Sequence, residues 1–91
     1  MDKTENIVRR FIYNELKKKN ILPKKDACIM TQWIKYPALK SNNPIIKGNY
    51  EKILNAMVNN EEIRFTEEDC QVFMLNEIGA KNYKEYLLLK E

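Results

Sequence analysis

Apolar residues recur at helical spacing through nearly all of this 91-residue chain, and that periodicity restricts it to a small α-helical architecture. Ile7, Val8, Phe11, Ile12 and Leu16 fall on one side of a helix predicted over residues 2–20, where Asp2 and Glu5 have the spacing of a capping box. The segment from Asn20 to Pro23 breaks it, because Pro23 has no backbone donor and disfavours a helical Leu22. A second helix is predicted over 24–36, with Ile29, Met30 and Trp33 turned inward and Pro37 as its stop. The stretch PALKSNNPIIKG, residues 37–48, then reads as an irregular crossing with a short extended piece at Ile45 and Ile46. Asn49 caps a helix over 49–59, whose Tyr50, Ile53, Leu54, Met57 and Val58 form an apolar stripe.

The run Thr-Glu-Glu-Asp from Thr66 has the form of a helix start, a capping hydroxyl followed by three carboxylates at the positive end of the dipole. It predicts a helix over 66–78 closed by Gly79, and a last helix over 81–90. Residues 63–65 are left as a turn or strand that can pair with 45–46 in a minor two-stranded β element. The fold class is therefore mainly α: a compact bundle of four or five short helices in a single domain over 1–91. A domain of this size buries only about 60 to 65% of its unfolded surface, so a homodimer would be a useful source of stability.

Composition removes several functions. The chain contains no histidine, which takes away the commonest general base and the commonest metal ligand together. Cys28 and Cys70 are too few for a four-thiolate zinc site and read as buried free thiols. Gly48 and Gly79 are the only glycines, so neither a Walker loop nor a dinucleotide fingerprint can be built. Glu67, Glu68 and Asp69 are accounted for by the helix dipole, and Glu15, inside an apolar arc, by pairing with a lysine or Arg64. These observations predict a non-enzymatic protein with no metal and no cofactor. The charge-laced start lacks an apolar leader, and no 18-residue apolar span occurs, which predicts a cytoplasmic protein that does not cross a membrane. Abundant Asn, Lys and Ile fit an AT-rich genome, such as that of a low-GC bacterium, its phage or a parasite.

Charge is divided unevenly. Residues 1–52 carry a net +7 and residues 53–91 a net −4. Lys3, Arg10 and Lys17 recur every seven residues along the first helix, and Lys18, Lys19, Lys24 and Lys25 extend that row around the first turn, with Lys35 and Lys40 as a further extension. Such a row suits phosphates of DNA or RNA, with Trp33 and Tyr36 as stacking candidates unless the tryptophan is core. With three arginines in the chain, recognition would be led by phosphate rather than by base. The segment through residue 36, the crossing and the helix that follows it are also open to reading as a divergent helix-turn-helix. The alternative is a protein-interaction module, an inhibitor or adaptor of a phage or mobile element, docking through Val72, Leu75, Tyr86, Leu88 and Leu89. Either function makes it a small regulatory binding protein.

Overall fold

The computed structural model describes residues 3–66 and 71–89. Four helices and three short strands follow in the order α1 (Lys3–Lys18), β1 (Cys28–Met30), α2 (Gln32–Leu39), α3 (Pro44–Asn59), β2 (Ile63–Phe65), β3 (Val72–Leu75) and α4 (Glu77–Leu88). The mainly helical class read from the sequence is what the chain adopts. The sheet is larger than expected.

The helix α1 forms because Val8, Ile12 and Leu16 make one fully buried stripe. It closes with a Schellman turn: Asn20 takes the left-handed conformation at φ 58°, and the Ile21 and Asn20 amides donate to the Leu16 and Lys17 carbonyls, each at 3.0 Å. Lys17 and Lys18 in the last turn face the negative end of the dipole.

The three strands form one antiparallel sheet in the order β1-β3-β2. Cys28 lies opposite Met74 and Ile63 opposite Leu75, while Ile29, Phe73 and Phe65 stand in one row across the sheet. Two expectations are corrected here. The helix predicted over 24–36 is a loop, then β1, then the start of α2, and the helix predicted over 66–78 is replaced by β3 and the first turn of α4. Its start signal at Glu67, Glu68 and Asp69 lies outside the described residues, as does Cys70. The run Val72-Phe73-Met74-Leu75 has no polar residue to reveal its period, yet only Phe73 and Leu75 are fully buried, which is the alternation of a strand.

Pro37 does not stop α2 but sits within it; it has no N–H for the Trp33 carbonyl, and the helix ends two residues later. The helix α3 starts five residues before Asn49. Asn43 is its cap, accepting from the Ile45 amide at 3.0 Å, and Pro44 occupies the first turn, where a missing donor costs nothing. Ile45 and Ile46 are consequently helical rather than extended, and β2 pairs with β3 instead. Asn49 lies inside the helix and donates to the Ile45 carbonyl at 2.8 Å.

The core gathers Val8, Ile12 and Leu16 of α1, Ile34 and Ala38 of α2, Ile53, Leu54 and Met57 of α3, and Ile29, Ile63, Phe73 and Leu75 of the sheet. The last helix, predicted from residue 81, begins at Glu77 and lies beside α1: Tyr83 stacks on Tyr13 with ring centroids 5.9 Å apart and donates to the Ile21 carbonyl at 2.9 Å. Gly79, expected to close a helix, is instead in the first turn of α4, where a Cβ would stand 1.9 Å from the Glu62 carbonyl oxygen. Among the described residues no helix is long and apolar enough to cross a membrane.

Candidate nucleic-acid interface

Helices α2 and α3 are joined by four residues, Lys40 to Asn43, the turn length of a helix-turn-helix. Ile34 and Ala38 of the first helix and Tyr50, Ile53, Leu54 and Met57 of the second are buried between them and the rest of the core. The outward side of α3 is thereby left to Pro44, Lys47, Gly48, Glu51, Lys52 and Asn55, all exposed. This face has no apolar side chain beyond the proline ring. At its centre, Gly48 has nothing within 4 Å of the position a Cβ would take.

Beside this face, Thr31 and Lys35 of the α2 start, Glu51 and Asn55 of α3, and Phe65 of β2 line a hollow of about 280 Å³. The Tyr50 hydroxyl donates to the Glu51 carboxylate at 3.2 Å, and burial together with that carboxylate pushes the phenol's pKa up. The outer side of α2 carries Trp33, Tyr36, Leu39, Lys35 and Lys40. Trp33 is 44% and Tyr36 58% exposed, so the inward placement expected for the tryptophan does not hold; Ile34 takes the core position instead. Every polar group on this side except the backbone carbonyls and the Tyr36 oxygen lone pairs is a donor.

The lysine row read from the sequence is divided. Lys3, Arg10 and Lys17 are exposed along α1, as the seven-residue spacing requires. Lys18 and Lys19, however, stand 3.4 and 3.7 Å from the buried Glu15 carboxylate, which draws on their charge. Lys24 and Lys25 precede β1 at the end of the sheet remote from Phe65 and Val72, since the next residue, Asp26, donates its amide to the last residue of β3, Leu75. Lys25 borders a hollow shared with Glu61 and Glu77. Next to Lys3, Thr4 and Glu5 share a hollow with Lys52 of α3. Lys47 and Lys52 are basic groups outside that row: Lys47 lies in the stretch expected to be irregular, and Lys52 in the helix predicted over 49–59, where only the apolar stripe stood out.

The apolar set on the acidic half is divided too. Leu75 is 1% exposed and belongs to the core, because it occupies the inward register of the central strand. Val72 is half-buried in the same strand. Leu88 and Leu89 are exposed at 74% and 62%, and Tyr86 is half-buried against Tyr13, its hydroxyl donating to Asn14. Tyr86 and Leu89 line a groove of about 340 Å³ between α1 and α4, opposite Asn6, Arg10 and Tyr13.

Under that groove lies a charged network. Arg9 donates to the Glu62 carboxylate and, at 3.1 Å, to Glu5; Asn82 and Tyr13 donate to Glu62 at 3.0 and 3.4 Å. Burial works against the Glu62 charge, yet the hydrogen bonds from Arg9 and Asn82 and the Arg9 charge hold its pKa below the ordinary value. Burial, then the Glu62 charge, pushes the Tyr13 phenol up to about 12. Cys28 is a free thiol, exposed rather than buried, and its Sγ donates to the Asp26 carbonyl.

Comparison with protein-family models, with curated proteins and with solved structures returned no match.

Proposed function

We propose that this protein is a small non-enzymatic regulator that binds double-stranded DNA, with α3 in the major groove and α2 across the adjoining phosphates. The observation that carries this reading is the four-residue turn between α2 and α3, which leaves α3 with an outward face that is polar, slim and unused by the fold. The element order through β3, with a sheet ordered β1-β3-β2, is that of a winged helix-turn-helix, a likeness of fold only.

The chemistry of the face supports the same reading. Lys35, Lys40, Lys47 and Lys52 supply phosphate contacts, and Trp33 and Tyr36 add an indole N–H and a hydroxyl. Glu51 and Asn55 have the functional groups that read cytosine and adenine edges. Gly48 is the sharper sign: a glycine inside a helix costs about 1 kcal/mol relative to alanine, and the fold gains nothing from it here. A surface that must let another molecule come close to the helix backbone gains from it. The sequence between β2 and β3 includes the acidic Glu67, Glu68 and Asp69, so in this reading the two helices carry the phosphate contacts.

The test is a gel shift on duplex DNA at low salt with two charge-reversed variants. Reversing Lys47 and Lys52 together should abolish the retarded band, and reversing Lys17, Lys18 and Lys19 should leave most of it. No band with the native protein, or equal loss in both variants, would sink this reading; a preference for single-stranded DNA or RNA competitor would redirect it to unpaired bases.

A further inference from the structure

The groove between α1 and α4 carries opposite charges on its two walls. Arg10 stands on the α1 side and Glu85 on the α4 side; both are exposed, and neither forms an ion pair with another described residue. Arg9, the other charged residue lining the groove among the described residues, is committed to Glu62 and Glu5. The apolar floor is formed by the rings of Tyr13 and Tyr86, and the open end by Leu89, next to Leu88, which is the most exposed large apolar residue described.

An occupant of this groove must bring an apolar side chain for the floor, an acid for Arg10 and a base for Glu85. The same face of a second molecule has all three: Leu88 with Leu89, Glu85 and Arg10. A surface carrying both members of each complementary pair is what a two-fold interface requires, since contact i to j is then repeated as j to i.

We propose that two copies of this chain pair through the α1 and α4 faces, the Leu88 and Leu89 ends of each entering the other's groove and Arg10 of each meeting Glu85 of the other. The residues involved lie outside the α2–α3 face, so pairing leaves both α3 helices open. The proposal does not depend on the DNA reading, although a two-fold pair would favour palindromic duplexes.

Sedimentation equilibrium tests it without any ligand. The native protein should dimerise, and Arg10→Glu or Glu85→Arg alone should weaken dimerisation at least about tenfold, because each places like charges at both contacts. An equimolar mixture of the two variants should dimerise again, because every contact in the mixed pair is of opposite sign. Rescue by mixing cannot arise within one chain. Far-UV circular dichroism checks that both variants fold. A native protein that stays monomeric at sub-millimolar concentration, single variants that associate like the native chain, or a mixture that stays monomeric would each overturn the proposal.

Discussion

The Arg9 guanidinium and the Glu62 carboxylate form a buried ion pair across 53 residues of sequence, binding α1 to the turn between α3 and β2. Glu5, Tyr13 and Asn82 complete its hydrogen bonding, and no buried side-chain polar atom among the described residues is left without a partner. Removing one member strands the other. Arg9→Met or Glu62→Gln should therefore cost about 3 to 5 kcal/mol, while replacing both by apolar residues of similar size should cost much less than the sum. Urea denaturation of the two single variants and the double variant measures the difference.

Stability should be level across neutral pH and fall at both extremes. The unfolded chain binds a proton at Glu62 near its ordinary 4.5, whereas the folded chain resists until lower pH. Its contribution is thus complete above about 4.5 and lost as the pH drops through the lower folded value. For Tyr13 the sign is opposite: the folded protein keeps the phenol proton until about 12 against an ordinary 10.0, so stability is lost as pH rises from about 10 to 12. Tyr50 and Tyr83 are shifted the same way. With no histidine in the chain, Tm measured by calorimetry should show a plateau between the two limbs.

The two glycines should answer the same substitution in opposite ways. Gly79→Ala drives a methyl group into the Glu62 carbonyl, which is backbone and cannot turn aside, and should cost about 3 kcal/mol. Gly48→Ala meets open space and should stabilise the protein by about 0.5 to 1 kcal/mol. Under the DNA reading, that stabler variant binds duplex more weakly. Thermal melts and gel shifts on the same two samples separate the effects.

Glu61 closes α3 in the left-handed conformation at φ 60°, with its own amide and that of Glu62 donating to the Val58 and Met57 carbonyls at 3.0 and 2.8 Å. A glutamate pays a steric cost there that glycine does not. Glu61→Gly should raise stability by about 0.5 to 1 kcal/mol, read as a higher urea midpoint at unchanged slope.

Trp33 is the only tryptophan and is 44% exposed on the outer side of α2. Its emission should resemble that of a solvated indole in the free protein. Duplex addition should quench or blue-shift it, with the response fading as salt rises, and Lys47→Glu should abolish the response at matched concentrations.

The two long helices were legible because Val8, Ile12 and Leu16, and likewise Ile53, Leu54 and Met57, repeat with one period over several turns. The strands were not, since Cys28–Met30 and Val72–Leu75 are three and four residues long and carry apolar residues on both faces, where a helical and an extended period cannot be told apart. The strand at 63–65 was legible as an option, but its partner was misplaced. The start of α3 was not legible although Asn43-Pro44 is a cap followed by a first-turn proline, because proline marks a break in a helix as readily as its first turn. Lys47 and Gly48 fall in that same stretch, so the outward face they form with Lys52 was not legible either. Exposure of Leu88 and Leu89 was legible, because consecutive leucines at the end of a helix cannot both turn inward.

The contact of α4 with α1 also bears on how the protein comes into being on the ribosome. Tyr86 reaches Asn14 across 72 residues, and Asn82 completes the Glu62 carboxylate that Arg9 holds. Until α4 has left the exit tunnel, the Tyr13 ring and the Arg9 pair lack their cover. A nascent chain stalled between residues 63 and 76 should thus present α1 with a wet ionic cluster and an open aromatic edge. It is then a substrate for chaperones and proteases that the finished domain escapes.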